Sequence, residues 1–171
     1  MVPDDARKNL SLYPPDLVEK AVRLMKSNQL GVLLKQKYPT AHAIRTDKAL
    51  YAYVVGLKKD FMRQSANISR ISFDDRISAL ENALGQHRFK SRVQGSNLRA
   101  SSEIRIASVF KRAPLPFLKM ICVHELAHLR EKEHNRAFYR LCEHMEPEYH
   151  TLEFDMRLFL MHTRIHGPLY D

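Results

Sequence analysis

The chain has no tryptophan, only five glycines and only two cysteines in 171 residues. Scarce glycine, no low-complexity tract and no internal repeat exclude collagen-like, solenoid and disordered classes. Two cysteines cannot staple a small secreted scaffold. Cys122 and Cys142 both fall in helical patterns and read as buried, reduced thiols. The opening stretch Met1 to Tyr13 carries Asp4, Asp5, Arg7 and Lys8 and no apolar leader. A cytoplasmic location is therefore expected. No run approaches the ~18 apolar residues of a membrane span, so no membrane partner is expected either.

What is present is ordinary globular material. Hydrophobic residues make up 44% and charged residues 27% of the chain, enough for one domain with a real core. The formal charge of +9 is unevenly spread. The stretch 86–112 holds Arg88, Lys90, Arg92, Arg99, Arg105, Lys111 and Arg112 against Glu103 alone, whereas the stretch 131–155 is acidic. Two solvated faces of opposite sign would explain this. A basic surface attracting an acidic substrate or a nucleic acid would explain it too. Phe89 is the one aromatic among Arg88, Lys90, Arg92 and Arg99, which argues against a platform for stacking single-stranded bases.

The first half, 1–66, reads as helical. Pro14-Pro15-Asp16 opens one amphipathic segment that runs to Met25, and Leu30 to Leu34 forms another that stops before Tyr38-Pro39. Thr46 or Asp47 caps a longer one bearing Leu50, Tyr53, Val54, Leu57, Phe61 and Met62. His42 reads as a loop residue. From 67 the pattern changes. Ile68 to Phe73, Arg88 to Val93 and Glu103 to Ala107 are short strand candidates, and Ile104 and Ile106 share a face. They predict a small antiparallel sheet, making an α+β protein of one domain over 1–171, with a helical region 1–66 and a core 67–171.

Pro114-Leu115-Pro116 then starts a helix expected to run from about Pro116 to Arg130 and apolar nearly all round. Such a helix is buried. Inside it stands His124-Glu125-Leu126-Ala127-His128. Two histidines four apart lie about 40° from each other around a helix and can hold one Zn²⁺, with the intervening glutamate within reach of a water there. Polar groups in so apolar a helix are costly unless they bind something. His134 follows six residues after His128. It reaches the same ion only if the helix ends near Glu131-Lys132-Glu133 and the chain turns back, with Asn135 capping a new helix through Phe138, Leu141 and Met145. A glutamate from that following segment (Glu143, Glu146 or Glu148) is the competing third ligand. Three protein ligands leave a tetrahedral position open, which is the layout of a catalytic zinc. His162 and His166 also stand four apart, but no glutamate follows His162 and Gly167-Pro168 ends that segment.

The run Ile121 to Leu129, with His134-Asn135, Phe138-Tyr139 and the preceding Ile104, Ile106 and Pro114, resembles the YgjP-like metallopeptidases, relatives of the SprT-like proteases. The likeness spans roughly 88–149. Family members carry Trp-Gly-Ser-Cys where this chain has Gln94-Gly95-Ser96-Asn97, and Trp where it has Tyr139. The resemblance implies a zincin-like fold, in which the small sheet packs on the buried active-site helix. It further implies His124, His128 and His134 as zinc ligands and Glu125 as the general base. The expected activity is zinc-dependent peptide-bond hydrolysis through a glutamate-activated water, on a peptide or protein substrate lying along Glu103 to Ala107. Tyr139, Tyr149, His144 and His150 are the candidates for a second oxyanion donor. The alternative is a DNA-associated binding protein, or a SprT-like protease, whose metal site is structural or vestigial and whose nucleic acid binds the 86–112 stretch.

Overall fold

The structure, a computed structural model, describes residues 5–78 and 102–171. Among these residues the element order is α1 (Asp5–Asn9), α2 (Pro15–Lys26), α3 (Leu30–Lys37), α4 (Asp47–Phe61), β1 (Ile68–Asp74), β2 (Ser102–Ala107), a 3-10 turn (Ser108–Arg112), α5 (Leu115–Ala127), α6 (Arg136–Met145) and α7 (Tyr149–His166). The three helices expected in the first half are present with their punctuation. Proline sits at the first turn of α2, and the Thr46 hydroxyl caps α4 by accepting from the Ala49 N–H at 3.2 Å. The Arg88 to Val93 strand lies outside the described residues.

The sheet corrects the expected antiparallel arrangement. Strands β1 and β2 run parallel, in register from Arg70–Glu103 to Asp74–Ala107, with an irregularity between Ile68 and Arg70. The alternation of Ile104 and Ile106, both buried, against exposed Glu103 and Arg105 fixes which face looks inward and says nothing of strand direction. Parallel pairing needs a crossover of about a dozen residues or more, and the chain between Asp74 and Ser102 is much longer than that. The protein is thus mixed helix and strand, with helices dominating.

Helix α5 runs through the middle. Phe117, Leu118, Cys122, Val123, Leu126 and Ala127 have no exposed surface, and its neighbours are α4, α6, α7 and β2. Tyr38, Phe117 and Phe159 stack in series at ring-centroid distances of 4.5 and 5.4 Å, tying the end of α3 to α5 and α7. The first-half helices and the later elements share one continuous apolar core. No helix among the described residues is long and apolar enough to cross a membrane. Cys122 and Cys142 are buried free thiols.

His42 is a loop residue, as expected, and also a buried one. Its Nε2 lies 2.7 Å from the Phe110 carbonyl, its Nδ1 accepts from the Ile44 N–H at 3.0 Å, and its own N–H donates to the Ala113 carbonyl. This neutral tautomer pins the loop after α3 to the entry of α5. Burial first, then the nearby Arg45 charge, lowers the His42 pKa below 6.5, against an opposing pull from the Phe110 carbonyl. The native ring resists a proton that the unfolded chain accepts, so its contribution is complete above pH ~6.5 and is lost as pH falls from there through the lowered native value. Urea titrations of wild type and His42→Gln between pH 7.5 and 5 should show the wild type losing more stability on acidification. Parallel pH profiles would refute this role.

Candidate metal centre

Three local features of the sequence bring the site together. First, the regular part of α5 ends at Ala127, earlier than the expected Arg130. Leu129 N–H and Arg130 N–H bond back three residues, to the Leu126 and Ala127 carbonyls, so the chain tightens and leaves the helix axis. Second, Asn135 is extended and its side-chain oxygen caps α6 by accepting from the Phe138 N–H at 2.9 Å. Third, the turn between them carries His134 back over the end of α5. The expected return of His134 therefore occurs, and its mechanism is this pair of helix ends.

His124, His128 and His134 meet through their Nε2 atoms, which stand 3.3, 3.2 and 3.0 Å apart pairwise. All three rings are half-buried, and they form the one group of three or more potential ligands that converges on a point among the described residues. A tetrahedral zinc with nitrogens at ~2.0–2.1 Å spaces those nitrogens ~3.3–3.4 Å apart, so the donor set fits a small divalent ion. The proton positions agree. His128 Nδ1 lies 2.9 Å from the Glu131 carbonyl, which can only accept, so Nδ1 carries the hydrogen and Nε2 presents a lone pair. Lone pairs converging at such distances repel one another unless a cation lies between them.

The rings rest on Phe138, which is fully buried and lies 5.0, 4.6 and 4.6 Å from the centroids of His124, His128 and His134. The helical pattern puts Phe138 on an apolar face of α6, and the fold makes that face the floor under all three imidazoles. Tyr149, fully buried at the start of α7, has its hydroxyl 2.7 Å from His124 Nδ1. That atom is on the far side of the ring from Nε2, so Tyr149 is turned away from any substrate and drops out as an oxyanion donor. His150 pairs with Glu143 at 2.9 Å, and His144 packs edge-on against Phe61. The Tyr139 ring lies 6.2 Å from that of His134. None of the competing glutamates joins the converging group, and two of them are engaged elsewhere. Glu143 holds His150, and Glu146 binds Lys119 at 2.6 Å and the Glu148 N–H at 3.2 Å.

Glu125 lies between the two helical histidines in sequence and is half-buried. Burial in the apolar surroundings of α5 pushes its carboxyl up to about 8. A cation at the neighbouring imidazoles would draw it down again, toward the carboxylate a general base requires. The acidic-substrate reading of the 86–112 stretch is only partly visible. Arg105 is taken up by Asp74 at 3.2 Å and Glu103 at 3.6 Å, and Lys111 lies over the Phe73 ring. Arg88, Lys90, Arg92 and Arg99 lie outside the described residues.

The three imidazoles form a group that could hold a metal ion, and the family match points to a hydrolase. The YgjP-like metallopeptidase-domain model matches residues 57–157, and the chain belongs to that family. It is also 53% identical over 148 residues, 86% of this chain and 89% of the relative, to a protein of Escherichia coli (strain K12) named UTP pyrophosphatase. No solved structure matches the chain.

Proposed function

We propose that this protein is a zinc-dependent hydrolase that releases pyrophosphate from UTP, with His124, His128 and His134 as the metal ligands and Glu125 as the general base. The observation that carries the hydrolase reading is the convergence of three Nε2 atoms within 3.3 Å of one another, two of them from the residues that flank Glu125 in the His-Glu-Leu-Ala-His run. The substrate reading rests on the 53% identity to the E. coli protein of that name. It is supported by charge. UTP carries about four negative charges, and a chain of net +9 with its bases concentrated in 86–112 attracts such a ligand.

A divalent ion at the three histidines supplies Lewis acidity toward water and toward the phosphoryl oxygens. The chain's own groups do the rest. Glu125 takes a proton from the attacking water as its oxygen bonds to phosphorus. It returns that proton to the bridging oxygen as the phosphoanhydride breaks, so that UTP and water give UMP and pyrophosphate. The apolar surroundings of α5 keep the carboxylate poorly solvated and therefore basic.

Peptide hydrolysis is the second reading, favoured by the metallopeptidase designation of the family and by the order His-Glu-Leu-Ala-His. The two are separated by incubating zinc-loaded protein with UTP and, in parallel, with a peptide library. UMP and pyrophosphate in equal amounts, lost with a chelator and restored by zinc, with peptides intact, is the expected result. Peptide cleavage with UTP untouched would transfer the site to the peptidase reading. A protein that hydrolyses neither but binds DNA with a steep salt dependence would favour the DNA-binding one.

A further inference from the structure

The Tyr149 hydroxyl has no role in the reading above, and its placement is specific. It lies 2.7 Å from His124 Nδ1 and has no exposed surface. Its ring is nearly parallel to the His124 imidazole, with 13° between planes. Cys142 of α6 is fully buried as well. The turn that delivers Tyr149 is itself clamped. Tyr149 N–H donates to the Glu146 carbonyl, and the Glu146 carboxylate is held by Lys119 of α5. The start of α7 is therefore tied to α5 twice, through this oxygen and through Lys119.

A phenol can donate or accept, so two proton arrangements satisfy the contact. If it donated to His124 Nδ1, the imidazole proton would sit on Nε2 and point at the lone pair of His128. If it accepts from Nδ1–H, Nε2 is left as a ligand. We propose that Tyr149 is a positioning residue of the metal centre, accepting the His124 Nδ1–H bond and so fixing the ring orientation and the tautomer in which Nε2 faces the ion. This rests on the reading that the three histidines hold a metal. His128 is held in the same way by the Glu131 carbonyl, and such outer partners of a ligand imidazole typically set metal affinity by 10–100-fold.

The test compares zinc affinity, by competition with a chromogenic chelator, in wild type, Tyr149→Phe and Tyr170→Phe. The Tyr170 hydroxyl also makes a buried bond, to the Tyr38 carbonyl at 2.7 Å, and controls for loss of stability alone. Wild type should bind one zinc per chain. Tyr149→Phe should bind about 10–100-fold more weakly, while Tyr170→Phe melts lower with wild-type zinc affinity. Affinity within twofold of wild type in Tyr149→Phe, or an equal loss in Tyr170→Phe, overturns the positioning role and leaves the ligand set standing. A wild type that binds no zinc overturns the ligand set and this role with it. If Tyr149→Phe does not fold, nitrogen-15 NMR of the zinc-loaded wild type decides. A slowly exchanging His124 Nδ1–H in contact with the Tyr149 ring supports the role, and a rapidly exchanging one refutes it.

Discussion

Glu125→Gln should abolish hydrolysis while leaving the metal in place. The amide has the shape of the carboxylate but cannot take a proton from water near neutral pH. Removing a general acid–base of this kind costs about 10²–10⁴ in rate, or ~3–5 kcal/mol of barrier. The ligand nitrogens belong to other residues, so zinc content by elemental analysis should match the wild type. Stability should not fall with activity. Burial disfavours the charged form of Glu125 enough to push its carboxyl up to about 8, and a neutral amide carries no such charge. A thermal midpoint for the metal-stripped variant equal to or above that of the wild type is expected. A variant that retains more than a tenth of the UTP turnover would remove Glu125 from the mechanism, whatever its metal content.

Much of this site is legible in the chain itself, for reasons that particular residues make plain. Helix α5 is apolar on every side, so His124, Glu125 and His128 stand out against it, and helical geometry alone places the two imidazoles together. Asn135 announces the restart of the chain as a helix, which makes the return of His134 inferable. The strand direction was not inferable. Ile104 and Ile106 alternate identically in a parallel or an antiparallel pair, and only the crossover between Asp74 and Ser102 decides. Tyr149 is visible in the sequence as one of four candidate oxyanion donors, with nothing to say on which side of the site it lies. Its distance from the motif in sequence hides that α7 begins behind His124 rather than in front of it. Phe138 was likewise one more apolar position of α6 until its ring was seen beneath three imidazoles. The substrate stands furthest from the sequence pattern, because a glutamate beside a three-histidine centre activates water equally well toward a carbonyl and toward a phosphoryl group.

His134→Ala should empty the centre without unfolding the protein. His134 lies in the turn between α5 and α6, and the elements that form that turn do not depend on its ring. Asn135 still caps α6 at Phe138, and Phe138 still fills the space below. The loss falls on the metal. Structural zinc sites with four protein ligands are worth ~10–16 kcal/mol, or about 3 kcal/mol per ligand, so one nitrogen fewer weakens binding by about a hundredfold or more. Thermal unfolding reads this directly. With free zinc at 100 times the wild-type Kd, the native state gains about 2.7 kcal/mol, whereas at the weakened Kd the same zinc contributes about 0.4 kcal/mol. The zinc-dependent rise in melting temperature should therefore all but vanish in the variant. The metal-stripped forms should melt close together, because removing one of three converging nitrogens relieves repulsion rather than opening a core cavity. His150→Ala, which removes an exposed imidazole paired with Glu143, should keep the full zinc response. An undiminished zinc shift in His134→Ala would return the third position to Glu143, Glu146 or Glu148. Glu146 would then have to leave Lys119, and a lost Lys119–Glu146 pair would be visible as a stability cost in the zinc-loaded form alone.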